Sequence, residues 1–207
     1  MQDIDIAGFI IRQGALSPSV QEHCVAACRT IVQRAPLIRP VTPWGKPMSV
    51  RMTSAGRAGW VIDRGRYAYV RHHPETREPW PEIPEAILKI WQENTDWPEP
   101  PDCCLLNWYE PDARMGLHQD KDEGRFDAPV LSISLGAPAR FRVGGQARKG
   151  PTESLILHSG DLVIMQGEAR LAYHGIDKIL TGELASPVAG GGRINLTLRV
   201  VADDVMI

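Results

Sequence analysis

From residue 103 onward, apolar and polar positions alternate in short runs bounded by turn residues. Cys103–Tyr109, Val130–Leu135, Ala139–Val143, Ser154–Leu157, Leu162–Met165, Ala169–Tyr173 and Arg193–Val201 each read as a strand. Turn signals separate them at Gly136 to Pro138, Gly144–Gly145, Ser159 to Asp161 and Gly190 to Gly192. Seven short strands at this spacing predict a β-sandwich or barrel. Upstream, the spacing changes. Val20, Cys24, Ala27, Cys28, Ile31 and Val32 recur at helical intervals after Ser17-Pro18, which reads as an N-cap with proline in the first turn, and Pro36 closes the run. A second helix is predicted over Glu82–Asn94, with Ile87, Leu88, Ile90 and Trp91 on one side. The two helices would cover one outer face of a sheet. The apolar positions Ile4, Ile6, Phe9, Ile10 and Ile11 predict an edge strand.

Residues 36–81 break both patterns. Seven prolines and four glycines point to loops and short strands. The stretch from 45 to 77 is also basic, with Lys46, Arg51, Arg57, Arg64, Arg66, Arg71 and Arg77 against Asp63 and Glu75. Trp60, Tyr67 and Tyr69 are interleaved with these charges. Arginine for phosphate and an aromatic face for a base is the chemistry of single-strand nucleic-acid binding. A solvated flap whose aromatics plug the core has the same composition. His72 and His73, beside Pro74, read as surface turn residues.

Length and charge narrow the function classes. A chain of 207 residues suits one domain with a sizeable core. The net charge of −2 excludes a globally basic nucleic-acid binder, so any such binding must come from a local patch. There is no apolar run of about 18 residues to cross a membrane. The acidic start and the absence of a visible signal peptide predict a cytoplasmic protein. Cys24, Cys28, Cys103 and Cys104 fit reduced, packed thiols, and their spacing does not make a zinc site.

Candidate chemistry centres on His118-Gln119-Asp120-Lys121-Asp122. On a strand or its edge, His118 and Asp120 would face one ion together, with Asp122 on the same side. One more histidine would complete a facial triad of two histidines and a carboxylate. His174 and His158 are the two candidates, each read at the end of a predicted strand. In Arg193–Arg199 the alternation puts Arg193, Asn195, Thr197 and Arg199 on one face and Ile194, Leu196 and Leu198 on the other. Two inward arginines are costly unless they meet anions, so this face reads as a receptor for a dicarboxylate, or as the solvent side of an edge strand. Asn107 and Tyr109 likewise share a face.

Taken together, these stretches resemble the AlkB family of Fe(II)- and 2-oxoglutarate-dependent dioxygenases. The likeness rests on Asn107-Trp-Tyr109-Glu-Pro, Leu117-His-Gln-Asp-Lys-Asp-Glu123, Ala128 to Gly136, Gly144-Gly145, Gly160-Asp161, Tyr173-His-Gly175 and Arg193-Ile-Asn-Leu-Thr-Leu-Arg199. Met48 to Thr53, Gly59-Trp60 and Tyr67-Ala-Tyr69 extend it upstream. The resemblance implies a mainly β (α+β) fold: a double-stranded β-helix, or jelly roll, over residues 103–201. Two supporting helices and a nucleotide-recognition lid at residues 40–81 belong to the same single domain. It implies that His118, Asp120 and His174 hold Fe(2+), and that Arg193 pairs with the distal carboxylate of 2-oxoglutarate, helped by Asn195 and Tyr109. Arg199 and Asn107 would sit by the chelating carboxylate. Trp60, Tyr67 and Tyr69 would serve the lid, Asp122 the base, and Arg148 the substrate. The implied reaction, using O2, is demethylation of 1-methyladenine and 3-methylcytosine in single-stranded DNA by a monomer, releasing formaldehyde, succinate and CO2. RNA or tRNA demethylation is the alternative on the same core, followed by protein or small-molecule hydroxylation. The glycine-rich loop before Arg193 and the arginine pattern of residues 40–81 depart from the family pattern and bear on substrate detail.

Overall fold

The computed structural model describes residues 3–180 and 187–207. In chain order it forms strands β1 (Asp3–Ile6) and β2 (Phe9–Arg12), helix α1 (Pro18–Arg34), strands β3 (Arg51–Gly56), β4 (Gly59–Asp63) and β5 (Arg66–Val70), and helix α2 (Glu85–Asn94). Strands β6 (Cys103–Tyr109), β7 (Met115–His118), β8 (Val130–Gly136), β9 (Ala139–Gly144), β10 (Thr152–Leu157), β11 (Leu162–Met165), β12 (His174–Ile179) and β13 (Arg193–Arg199) follow.

Among the described residues these strands build a seven-stranded sheet, β1-β2-β11-β8-β13-β6-β3, a four-stranded sheet, β10-β9-β12-β7, and the hairpin β4-β5. From β6 onward, neighbouring strands in each sheet are non-consecutive in the chain, apart from the β9-β10 hairpin. Connections therefore pass repeatedly between the two sheets, which is the jelly-roll arrangement. One apolar cluster, including Phe9, Ile11, Phe141, Val143, Val163 and Met165, fills much of the space between the sheets. A second packs the outer face of the large sheet against the helices through Cys24, Ile31, Ile87, Trp91, Leu106, Leu131 and Leu196. Alternation on β13 decides which residues join which side. Ile194, Leu196 and Leu198 point to the helices, while Arg193, Asn195, Thr197 and Arg199 point between the sheets. All four cysteines are free and buried.

Four local expectations change. The N-terminal apolar run is a hairpin, because Ala7 and Gly8 both take positive φ (52° and 82°), the conformation of a two-residue turn. β1 forms the edge, and β2 is internal beside β11. The second helix starts at Glu85, since Pro84 biases Ile83 away from helical backbone and itself stands at the N-cap. The expected strand Ala169–Tyr173 is instead a 3-10 turn over Gly167–Leu171, with β12 beginning at His174. Its alternation was that of a turn that buries Ala169 and Arg170. His73 is buried: its Nε2 lies 2.9 Å from the Pro36 carbonyl, and its Nδ1 accepts from the backbone N–H groups of Glu75 and Thr76.

The hairpin β4-β5 is held at its base by Trp80. Its indole N–H donates to the Val70 carbonyl at 2.8 Å, and its ring lies where a Cβ at position 59 would be, at 2.2 Å, so Gly59 is required for this approach. Trp60, Tyr67 and Tyr69 share the other face of the hairpin, because Trp60 pairs in register with Tyr69 and Tyr67 stands two residues before it.

Candidate active site

Between the sheets lies a cavity of about 560 Å³. His118, Asp120 and His174 meet in it, with one potential ligand atom from each within 4.8 Å of the others. The two histidines are cross-strand partners in the β7–β12 pair, and their ring centroids are 4.5 Å apart. Close pairing here depends on Gly175, where a Cβ would meet the Met115 carbonyl oxygen at 2.6 Å. Each imidazole is oriented by backbone: Nδ1 of His118 faces the Gly116 carbonyl at 3.0 Å, and Nδ1 of His174 faces the Ala172 carbonyl at 3.1 Å. Against a carbonyl that nitrogen must carry the proton, which leaves Nε2 of both rings free to bind a metal. Burial, aided by His118, pushes the His174 imidazole down to about 4, so it is neutral at physiological pH.

The sequence spacing put His118 and Asp120 on a strand or its edge, and the structure has the strand end between them. β7 ends at His118, and Asp120 lies in the loop that follows. Tertiary contacts hold it instead. Arg199 pairs with both its oxygens, Nη2 to Oδ1 at 2.9 Å and Nε to Oδ2 at 3.2 Å. Burial acts against the Asp120 charge, but Arg199, His174 and His118 outweigh it and hold the carboxyl well below the usual carboxylate range. His158 stands apart from this cluster at the turn before Asp161, with most of its side chain exposed. Of the two candidate histidines, the tertiary structure brings only His174 to the ligand cluster.

A second polar group lines the same cavity. Strand register places Arg193 opposite Tyr109 and Asn195 opposite Asn107. Asn107 donates to Asn195 Oδ1, which also accepts from Thr197, while Asn195 Nδ2 donates to Ser132 Oγ at 2.6 Å. Arg193 is fully buried. Its Nη1 donates to the Ala137 carbonyl and its Nη2 to Ser134 Oγ, while its Nε has no partner. No carboxylate forms an ion pair with it among the described residues. Burial pushes its pKa down to about 10, against the pull of Tyr109 and Asp161, so it remains a cation at neutral pH. Asn107 Oδ1 is also buried without a partner. A buried guanidinium short of a counter-charge, beside amides and the Tyr109 hydroxyl, fits a ligand carboxylate.

The hairpin β4-β5 contributes to the same cavity. The Trp60 indole N–H donates to Asp122 Oδ2 at 3.1 Å, and its ring stacks on Tyr67 with centroids 5.4 Å apart and planes 19° from parallel. Tyr67 is exposed and Arg148 lies exposed on the rim. Tyr69 is elsewhere. Its ring is completely buried, and its hydroxyl donates to Glu123 and accepts from Arg199. That burial withholds Tyr69 from a bound substrate, so its expected place among the substrate contacts is corrected.

A model of the 2OG-Fe(II) oxygenase superfamily matches residues 8–199. The alpha-ketoglutarate-dependent dioxygenase AlkB homolog of Caulobacter vibrioides (strain NA1000 / CB15N) is 52% identical over 194 residues, which is 94% of this chain and 88% of that protein. The chain belongs to the AlkB family of Fe(II)/2-oxoglutarate dioxygenases. The alpha-ketoglutarate-dependent dioxygenase AlkB of Escherichia coli (strain K12) is 39% identical over 92% of this chain and 88% of its own length. The solved structure of OsALKBH1 superposes with a TM-score of 0.78 at 26% identity, covering 96% of this chain and all of the other. The family uses Fe(2+), 2-oxoglutarate and O2, and both receptor groups fit that demand: two imidazoles and a carboxylate for the metal, an underpaired buried arginine for the dicarboxylate.

Sequence reasoning missed a buried charge network beside the ligand cluster, formed by Glu123 and Arg170. Glu123 is buried between two arginines: Oε2 lies 3.2 Å from Arg170 Nη2, and Oε1 lies 3.4 Å from Arg199 Nε. Arg170 also donates to the Asp120 carbonyl at 2.6 Å and to the Ala128 carbonyl at 3.0 Å. It thereby ties the Asp120 loop to the turn that leads into His174. Glu123 closes the recognised acidic motif, but Arg170 sat in a misread strand and offered no signal. Glu123→Ala strips the buried Arg170 guanidinium of its carboxylate and leaves Arg199 with Asp120 alone, and is expected to cost about 3–5 kcal/mol of folding stability. Chemical denaturation checks this, and a loss under about 1 kcal/mol would contradict the network's role.

Proposed function

We propose that the protein is an oxidative demethylase of N-alkylated bases such as 1-methyladenine and 3-methylcytosine in single-stranded DNA, acting in direct repair of alkylation damage. In this reading His118, Asp120 and His174 hold Fe(2+), while Arg193 binds the distal carboxylate of 2-oxoglutarate with Asn195 and Tyr109 beside it. Asn107 and Arg199 sit by the carboxylate of the co-substrate that chelates the metal, and Arg199 also pairs with Asp120. Bound iron and 2-oxoglutarate supply oxidation of the N-methyl carbon by O2, with succinate and CO2 as co-products and formaldehyde lost from the oxidised methyl group.

The observation that carries the reading is the link from Trp60 to Asp122, two residues from the Asp120 ligand. It joins a flat aromatic surface and a carboxylate at the mouth of the metal cavity. A base must leave the stack to reach a buried centre, and alkylated bases pair badly, so their extrusion costs less. Stacking on an aromatic face favours any extruded base, and a carboxylate favours one that carries positive charge. Tyr67 and Arg148, exposed at the rim, suit the nucleotide's phosphate and sugar. Residues 40–81 then form a nucleotide-recognition lid and 103–201 the dioxygenase core of one domain. A cytoplasmic monomer completes the reading, and no helix among the described residues is long and apolar enough to cross a membrane.

The test is mass spectrometry of short oligomers carrying one 1-methyladenine or 3-methylcytosine, as DNA and as RNA, incubated with Fe(II), ascorbate and 2-oxoglutarate. Loss of one methyl group from DNA, dependent on 2-oxoglutarate, is expected. Loss confined to RNA would transfer the reading to an RNA demethylase. Consumption of 2-oxoglutarate with neither substrate altered would overturn nucleic-acid demethylation and leave a protein or small-molecule hydroxylase.

A further inference from the structure

Trp44 is among the most exposed large apolar side chains described, at 81%. It nevertheless lines the mouth of the active-site cavity, together with Thr42, Met48, Trp60 and Tyr67. An indole left in water at a cavity mouth is an unused binding surface. Nor is the loop that carries it loose. Val41 and Pro47 form a bridge, the Thr42 N–H donates to the Lys46 carbonyl, and the Gly45 N–H donates to the Thr42 carbonyl. The Thr42 hydroxyl also accepts from the Lys46 N–H at 3.1 Å. Trp44 thus sits at the tip of a braced turn. That turn approaches the tip of the β4-β5 hairpin, where a Cβ at Gly65 would lie 3.9 Å from Pro43 Cα. The adjacent tips carry Lys46, Arg64 and Arg66, all exposed.

An exposed aromatic ring on a rigid turn, flanked by three cations and opening on the cavity, has the composition of a stacking platform for single-stranded nucleic acid. Trp60 and Tyr67 are already stacked on each other, so Trp44 is a separate face.

We propose that Trp44 stacks on a nucleobase adjacent to the one in the active site, with Lys46, Arg64 and Arg66 taking the phosphates on that side. The proposal rests on the nucleic-acid reading above and adds a second base to the bound unit. It predicts that an oligomer is preferred to a single nucleotide and that this turn sets the preference.

The experiment measures KM for a methylated trinucleotide, for the same trinucleotide with an abasic sugar 5′ or 3′ to the target, and for the methylated mononucleotide. Each substrate is tested with the wild-type protein, Trp44→Ala and Trp44→Phe. Trp44→Ala should raise the trinucleotide KM about ten-fold, as expected for one lost base–aromatic stack. It should leave the mononucleotide KM unchanged, and Trp44→Phe should recover most of the loss. One of the two abasic trimers should weaken the wild-type enzyme to the same degree and leave Trp44→Ala no worse. Equal losses for trinucleotide and mononucleotide would make Trp44 a structural element of the turn and overturn the proposal, as would no loss at all. A wild-type enzyme that neither binds nor demethylates any nucleic acid would instead remove the demethylase reading, and this proposal with it.

Discussion

Replacing Arg193 by methionine is expected to raise the KM for 2-oxoglutarate roughly 30-fold or more, from the ~2–5 kcal/mol lost when one partner of a buried charge pair is removed. The ligand-free variant should be as stable as the wild-type protein, or more stable. The two outcomes share one cause. Arg193 is completely buried, its Nε has no partner, and it forms no ion pair among the described residues. Carrying that cation without its counter-charge costs folding energy, which an apolar side chain of similar length does not. A carboxylate of the co-substrate would supply the missing charge. Thermal melts with and without 2-oxoglutarate separate the contributions. Wild-type protein should gain stability with ligand concentration, and the variant should gain almost none. An unchanged KM together with an unchanged ligand-induced shift would remove Arg193 from the co-substrate site.

The second large effect is expected at His174. His174→Ala should reduce iron-dependent turnover more than about 100-fold, beyond the 10–100-fold typical of losing a group that merely orients a ligand. It should also abolish the stabilisation that a divalent metal gives the wild-type protein. His174 is buried, its Nδ1 is engaged by the Ala172 carbonyl, and its ring faces His118 across the β7–β12 pair. His158→Ala is the control, because that ring stands at an exposed turn outside the cluster. It should leave turnover within two-fold, the spread of a surface substitution. Retained metal stabilisation in His174→Ala, or its loss in His158→Ala, would show that the third ligand had been misassigned.

Neither effect could be read from spacing alone, although much of the scaffold could. Alternation located most strands from Cys103 onward, and helical spacing located α1 and α2, because a residue's face is a local property of the backbone. The same alternation put Arg193, Asn195, Thr197 and Arg199 on one face of β13. It could not say whether that face met water or the interior, since this depends on the four-stranded sheet laid over it. Trp60, Tyr67 and Tyr69 show the matching limit. They share one face of a hairpin, yet Tyr67 is exposed at the outer end while Tyr69 is sealed against Glu123 and Arg199. Periodicity reports the face and not the depth.

By itself, then, the sequence determined the class of fold, the ligand types and, through the family motifs, the chemistry they serve. Those are carried by local periodicity and by residues a few positions apart. Spacing left His174 and His158 both open and the family motif implied His174; the tertiary structure shows the physical reason, since pairing β12 with β7 brings together side chains 56 residues apart. Only it showed Asp120 held by Arg199 and Arg170 rather than by a strand, and Trp44 standing at the cavity mouth. Each of these depends on contacts between elements distant in the chain, whose energies are set by burial and charge pairing that no local pattern encodes.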